Sequence, residues 1–403
     1  MWRSCKLISD DSHFEANPNL WRDFIAPEFR QYAPQVVKMP NGGDGWKLWG
    51  VEAPLALGLN LASGFGFRNI RPSGVSYSDP DIAGVGDGAQ RLREMDRDGV
   101  DAEVIYGPVA ALGTRYGNLP PEAALAVTRG YNDYLSKAYT AADPTRLLGL
   151  AVLPNTSLED NIAEMMRVKD MPGIYGVSLQ MWPSGKPIPT PEDDRFWKAA
   201  IDNDVPLTTH FAFGGGYEAE EAAKAKGSYG ESGLKVNYCP INRLLCRVSA
   251  GSAGVVNVGF NMIQLITFGV LDRFPSLRIS YAEVGAAWAP AFAEAADSNY
   301  ERHRYWSKVE LQHPPSHYIK RNFLFGMHDD FLAVRRLIDE IGVDNITWGT
   351  DFPHVASNWP NTRELLDGMF DGVPTEVARK IVGGNLARHL RIEPEAVHVA
   401  KAA

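Results

Sequence analysis

The stretch Asn345-Ile346-Thr347-Trp348-Gly349-Thr350-Asp351-Phe352-Pro353-His354 opens as a short apolar run and closes on a carboxylate, a proline turn and an imidazole. An apolar run this short, bounded by Gly and Pro, reads as a buried strand. The same pattern recurs upstream. Lys6 to Ser9 runs into Asp10-Asp11-Ser12-His13. Val104 to Tyr106 runs into Gly107-Pro108, with a helical stretch from near Pro121. Leu147 to Leu153 ends at Pro154, and a helix starts near Ser157. Tyr175 to Leu179 precedes a loop and a helix from Glu192, and Pro206 to Thr209 ends at His210. Leu277 to Tyr281 ends at Glu283, followed by a helix through Trp288. Phe323 to Phe325 ends at Gly326, followed by a helix from Asp330. Alternating strands and helices imply parallel βαβ units. Eight such units predict an α/β protein of the (β/α)₈ TIM-barrel class, with an open doubly wound sheet as the competing arrangement. The runs are mostly apolar without alternation, as strands covered on both faces require. The first is the weakest, since only its two central residues are apolar.

Two connections exceed ordinary loop length, at about residues 14–99 and 211–255. Both follow the C-terminal end of a strand, where barrel enzymes build their sites, so each reads as a lid or substrate wall within one barrel domain spanning residues 1–403. A peripheral subdomain or an oligomer contact is the alternative. Pro374 to Leu390 reads as a closing helix, with frayed chain after Arg391.

Composition sets the broad class. The chain has 403 residues, 45% hydrophobic and 22% charged, with a net charge of −9. It has no Lys/Arg run, so nucleic acid is excluded as a partner, because phosphate binding needs a concentrated positive footprint. No stretch reaches the roughly 18 apolar residues of a membrane span. The three cysteines, Cys5, Cys239 and Cys246, show no CxxC spacing and read as reduced thiols. With no signal-peptide pattern at the start, a cytoplasmic location is expected. The expected partners are a small-molecule substrate and other subunits of a homo- or hetero-oligomer.

Four strand ends carry metal-capable side chains. Asp11, His13 and Glu15 alternate, so an extended segment points all three one way. The fifth strand ends at His210, the sixth at Glu283 and the eighth at Asp351, with His354 three residues on. A barrel gathers the C-terminal ends of its strands on one rim, so these seven residues can converge. Imidazole with carboxylate suits a divalent Zn, Mn or Fe, and the absence of a cysteine cluster argues against a structural zinc. Four converging carboxylates call for one or two compensating cations, so a dinuclear centre is open. Each residue also has a plain alternative: His210 as a core histidine, Glu283 as a helix cap, Asp351 as a turn residue. The joint pattern favours a site, with Glu283, Asp351 and His354 as catalytic candidates. Gly214-Gly215-Gly216 lacks the Lys-Ser/Thr of a phosphate loop and reads as a hinge. His303, His313 and His317 read as surface or packing residues and His328 as a rim residue. Arg68, Arg71 and Arg243 lie in the two long connections, where they can meet a substrate carboxylate.

At these strand ends the chain resembles the amidohydrolase-related family that includes aminocarboxymuconate semialdehyde decarboxylase. The matching segments are Ile8 to His13, Pro206 to His210, Phe274 to Arg278 leading to Glu283-Val284-Gly285, and Trp348 to His354. Ala142 to Gly149 and Gly384 to Arg388 also match, so the resemblance spans nearly the whole chain. It implies a barrel with a rim metal whose ligands map onto Asp11, His13, His210 and Asp351. Two departures stand out. The usual His-x-His of the first strand is Asp11-Ser12-His13, and Glu283 stands where the decarboxylases have a histidine.

Three functions follow as expectations. One is a metal-dependent hydrolase or decarboxylase acting on a small organic acid, in which the metal polarises the substrate or activates water. The second is a dinuclear Fe or Fe/Mn oxygenase, which a few family members resemble and which the oxygen-rich residue set suits. The third is a catalytically inactive partner subunit of a hetero-oligomer.

Overall fold

The computed structural model describes residues 2–40, 42–79, 82–108, 119–210, 213–214 and 253–399. Eleven strands are described: β1 (Ile8–Ser9), β2 (Gln35–Lys38), β3 (Asp44–Lys47), β4 (Leu55–Ala56), β5 (Ala102–Ile105), β6 (Leu147–Val152), β7 (Ile174–Leu179), β8 (Leu207–His210), β9 (Ile279–Ala282), β10 (Phe323–Met327) and β11 (Ile346–Trp348). Eight of them form one parallel sheet in the order β1-β5-β6-β7-β8-β9-β10-β11. The sheet curls so far that its ends meet: Asp10 N donates to Trp348 O at 2.8 Å. This is the expected eight-stranded barrel. Its strands are largely buried because helices cover their outer faces, and all six residues of β6 are buried. Hydroxyl side chains stand in register on neighbouring strands, Ser178 beside Thr208 and Thr208 beside Ser280. Alternation puts Thr208 on the same side as His210, so this polar layer lies beneath the barrel mouth.

The helices follow the expected pattern, with three differences. Four helices precede the second long connection: α1 (Gly88–Asp98), α2 (Pro121–Tyr134), α3 (Leu158–Val168) and α4 (Asp194–Asp202); α5 (Ala253–Thr267) follows it. The first difference is α1. The insertion expected at residues 14–99 ends in α1, which belongs to the barrel as its own first helix. Asp87 caps its start by accepting from Gln90 N at 2.9 Å, and Gly99 ends it in the left-handed conformation at φ 72°. Its buried face includes Arg91 and Asp98 beside Met95, so apolar periodicity is weak there. Second, the helix expected through Trp288 starts at Ala289, with Trp288 as its cap residue. Glu283 and Gly285 both sit at positive φ, which keeps the segment before it out of a helix. Third, the closing segment is helical from Thr375 to Leu390 as expected, but the chain beyond Arg391 is not frayed as far as it is described. Val397 is buried in the cluster that holds Ile8 and Leu148, and its carbonyl accepts from Lys6 Nζ.

The first long connection builds a small antiparallel sheet, β2-β3-β4, with Trp46 of β3 fully buried. It is tied to the barrel mouth. Tyr77 Oη donates to Glu15 O at 3.0 Å, Asn60 Nδ2 donates to Glu15 Oε1 at 3.3 Å, and the amides of Ala62 and Ser63 both donate to Pro353 O at 3.1 Å. These bonds tie residues 60–77 to the segments that follow β1 and β11. Most of the second connection, with Gly215, Gly216, Cys239, Arg243 and Cys246, lies outside the described residues. Among the described residues no helix is long and apolar enough to cross a membrane.

Candidate metal centre

The chain after β1 stays extended without lengthening the sheet. It is threaded between two neighbouring strand ends: Asp11 O accepts from Thr350 N at 3.2 Å and Asp351 N at 2.9 Å, and His13 N donates to Phe352 O at 2.7 Å. On the other side Tyr106 N donates to Ser12 O at 2.8 Å and Phe14 N to Tyr106 O at 2.9 Å. Segments 11–14 and 350–354 are thus fixed against each other by backbone bonds. Asp351 (φ 51°) and Glu283 (φ 56°) both occupy the left-handed region, which ordinary side chains avoid at a cost of about 1–3 kcal/mol. Strained backbone at two strand ends of one rim marks a place where side-chain aim matters more than local stability.

One ligand atom from each of Asp11, His13, His210, Glu283 and Asp351 lies within 4.8 Å of all the others. His13 Nε2 is 3.3 Å from Asp11 Oδ1 and 3.2 Å from Asp351 Oδ1, and His210 Nε2 is 2.9 Å from Glu283 Oε2. His13, Glu15 and His354 form a second group sharing His13. His354 stacks on His13 at a ring-centroid distance of 3.7 Å and lies between two carboxylates, Nδ1 3.1 Å from Asp351 Oδ1 and Nε2 3.2 Å from Glu15 Oε1. All seven predicted residues therefore meet at one mouth, five in the first group and two behind it. The donor set fits a divalent metal. Asp11 Oδ1, Asp351 Oδ1 and both ring nitrogens of His13 are buried without a hydrogen bond of good geometry, and buried polar atoms left so are costly.

The electrostatics match. Burial pushes the Asp11 carboxyl up, but the nearby imidazoles of His210, His13 and His328 outweigh it and hold it well below the usual range. Asp351 is also held low, burial being outweighed by His354 and His13. Burial pulls His354 down, yet Asp351 and Glu15 raise it to about 10. The imidazoles so carry the positive charge that two clustered carboxylates require.

Three contributors were not singled out as site residues from sequence. His328 Nε2 donates to Asp11 Oδ2 at 2.9 Å and, against the pull of burial, is raised to about 10 by Asp11. It follows β10 directly, so the rule that picked His210 picks it as well. Tyr106 lies across the mouth, its ring 5.5 Å from that of His210 and 6.0 Å from that of His13. Arg91 sits behind the ligands, and nothing in an amphipathic pattern marks it. Of the arginines proposed to meet substrate, Arg71 pairs with Asp79 at 3.3 Å, Arg68 is exposed and Arg243 lies outside the described residues.

An eight-stranded parallel barrel with a His/carboxylate cluster at its C-terminal mouth is the architecture of metal-dependent barrel enzymes. The chain belongs to the amidohydrolase family, whose model matches residues 81–392. It is 25% identical over 224 residues to the decarboxylase OrsB of Emericella nidulans, a match covering 56% of this chain and 61% of that relative's length. It is 22% identical over 320 residues to 2-amino-3-carboxymuconate-6-semialdehyde decarboxylase of Dictyostelium discoideum, covering 78% of this chain and 77% of that one. Among solved structures, 5-carboxyvanillate decarboxylase of Novosphingobium aromaticivorans, complexed with manganese and 4-hydroxy-3-methoxy-5-nitrobenzoic acid, superposes with a TM-score of 0.64 at 16% identity, covering 97% of each chain.

Proposed function

We propose that this chain is a decarboxylase of a small aromatic acid, working with one divalent metal held by Asp11, His13, His210 and Asp351, with Glu283 beside them. The convergence of these five side chains at the barrel mouth carries the reading. The decarboxylase names of the two curated relatives support the reaction, and the manganese complex of the structural neighbour supports manganese as the metal.

Decarboxylation breaks the bond between the ring carbon and the carboxylate, leaves the electron pair on that carbon, and requires one proton there as carbon dioxide departs. The bound metal would anchor the substrate's oxygens and spread the charge that develops on them. The chain's own residues do the rest. Glu283 is the most solvent-reached carboxylate of the group, with its side chain 24% exposed, and is assigned the delivery of the proton. Glu283, which solvent reaches, regains that proton from water. His354 holds Asp351 in place and keeps its proton between Asp351 and Glu15. Tyr106 and the wall built by residues 60–77 exclude water from one side of the mouth.

Manganese-loaded protein offered a panel of hydroxylated benzoic acids, 5-carboxyvanillate among them, should release carbon dioxide without oxygen present. No release from any of them, with manganese bound, would contradict the reading. A second reading is favoured by the His13, Glu15 and His354 group: a second cation there would make the centre dinuclear and suit an Fe or Fe/Mn oxygenase. Two redox metals per chain and oxygen-dependent turnover would establish it.

A further inference from the structure

We propose that Arg91 is a positioning residue for the metal centre: one buried guanidinium clamps together the two chain segments that carry its ligands. The proposal rests on the reading that Asp11, His13 and Asp351 hold a metal.

Arg91 projects from α1 and is only 1% exposed. One edge of its guanidinium meets the first ligand segment, where Nη2 donates to the carbonyl of His13. One face meets the other segment, with Cζ 4.4 Å from the centre of the Phe352 ring, immediately after Asp351. On the helix side, Nε donates to Tyr139 Oη at 3.3 Å and lies 3.7 Å from Glu103 Oε2. Glu103 in turn accepts from Thr350 Oγ1 at 3.3 Å, and Thr350 Oγ1 also lies 3.1 Å from Asp11 O. The clamp therefore closes through Glu103 and Thr350 onto the residue before Asp351. Only a flat, permanently charged group with several donors can bond a carbonyl on its edge while stacking a ring on its face. A lysine keeps the charge and loses both the fork and the stack.

The sign of the effect separates positioning from simple charge. A positive charge behind a cation site repels the cation, so a guanidinium acting only as a charge would tighten metal binding when removed. A guanidinium that aims ligands would loosen it, by the roughly 10- to 100-fold seen when groups behind metal ligands are lost.

The test compares wild type, Arg91→Met and Arg91→Lys for manganese affinity by chelator competition, and for the visible spectrum of the cobalt(II)-loaded protein, which reports ligand geometry. The expected result is about 10- to 100-fold weaker manganese binding in Arg91→Met, a smaller loss in Arg91→Lys, and an altered cobalt spectrum in both. Equal or tighter binding in folded Arg91→Met with a wild-type cobalt spectrum overturns the proposal. If Arg91→Met does not fold, Arg91→Lys decides alone, and wild-type affinity and spectrum there overturn it equally. A wild-type protein that takes up neither manganese nor cobalt removes the metal centre itself, a failure distinct from that of the clamp.

Discussion

Asp10 and Asp11 are neighbours at the end of β1, both buried, and their surroundings drive them in opposite directions. Asp11 faces the mouth among three imidazoles and is held well below the ordinary carboxylate range. Asp10 turns the other way, into a slot between the ends of β10 and β11. A side-chain carbon at Gly326 would come within 2.6 Å of its Oδ2, and one at Gly349 within 2.5 Å of its Oδ1. Two glycines therefore make the room that Asp10 fills. Burial and the adjacent Asp11 raise Asp10 to about 7, with the Thr347 hydroxyl donating to it. The comparison teaches that burial alone does not decide a carboxylate's charge. The imidazole partners do, and they distinguish the side of this strand end that faces the candidate metal centre.

The contrast can be broken at several points. The largest effect is expected from Asp11→Asn and Asp351→Asn, each of which removes an anionic ligand and should lower metal affinity by about 100-fold or more, since even groups behind the ligands are worth roughly 10- to 100-fold. Equilibrium dialysis against manganese checks this. Next comes His354→Gln, which keeps the size of the side chain and removes the charge between Asp351 and Glu15. It should weaken metal binding by roughly 10-fold, measured by the same dialysis. The pH dependence of wild-type affinity should follow. His13 is pulled down by burial and His354 but raised overall by Asp11 and Asp351, so it holds its proton above the usual histidine range. A ligand imidazole must be neutral, so affinity should climb by about tenfold per pH unit across the neutral range, with one proton released per metal bound. A flat profile would show that His13 is not a ligand. The smallest effect belongs to the other side of the strand end. Asp10→Asn should leave metal affinity unchanged within about threefold, while altering the pH dependence of stability. Because the folded-state value of Asp10 is raised, its contribution is fully present below the unfolded value of 3.8 and is lost as pH rises through about 7. Urea melts of chelator-treated protein between about pH 5.5 and 8 should show a steeper decline in the wild type than in the variant.

Much of this was legible in the sequence. The barrel followed from eight short apolar runs because strands covered on both faces leave a continuous apolar record. The seven residues that meet at the mouth were readable because strand ends collect on one rim, a property of topology rather than of any motif. The rest was hidden for physical reasons. The helix Gly88–Asp98 hides behind a buried arginine and a buried aspartate on its inner face, which erase apolar periodicity. His328 is legible as a rim residue, but the apolar stretch that marks its strand stops two residues short of the strand's end at Met327, which hides that it stands at a strand end like His210. The small sheet β2-β3-β4 is built on two- and four-residue strands, too short for alternation to register.

The most direct test of the central claim is the metal content of purified protein, measured by elemental analysis for wild type, Asp351→Asn and His210→Ala. The structure predicts close to one divalent metal per wild-type chain and a marked loss in both variants. A wild type without metal after manganese reconstitution, or full occupancy in both variants, would contradict it.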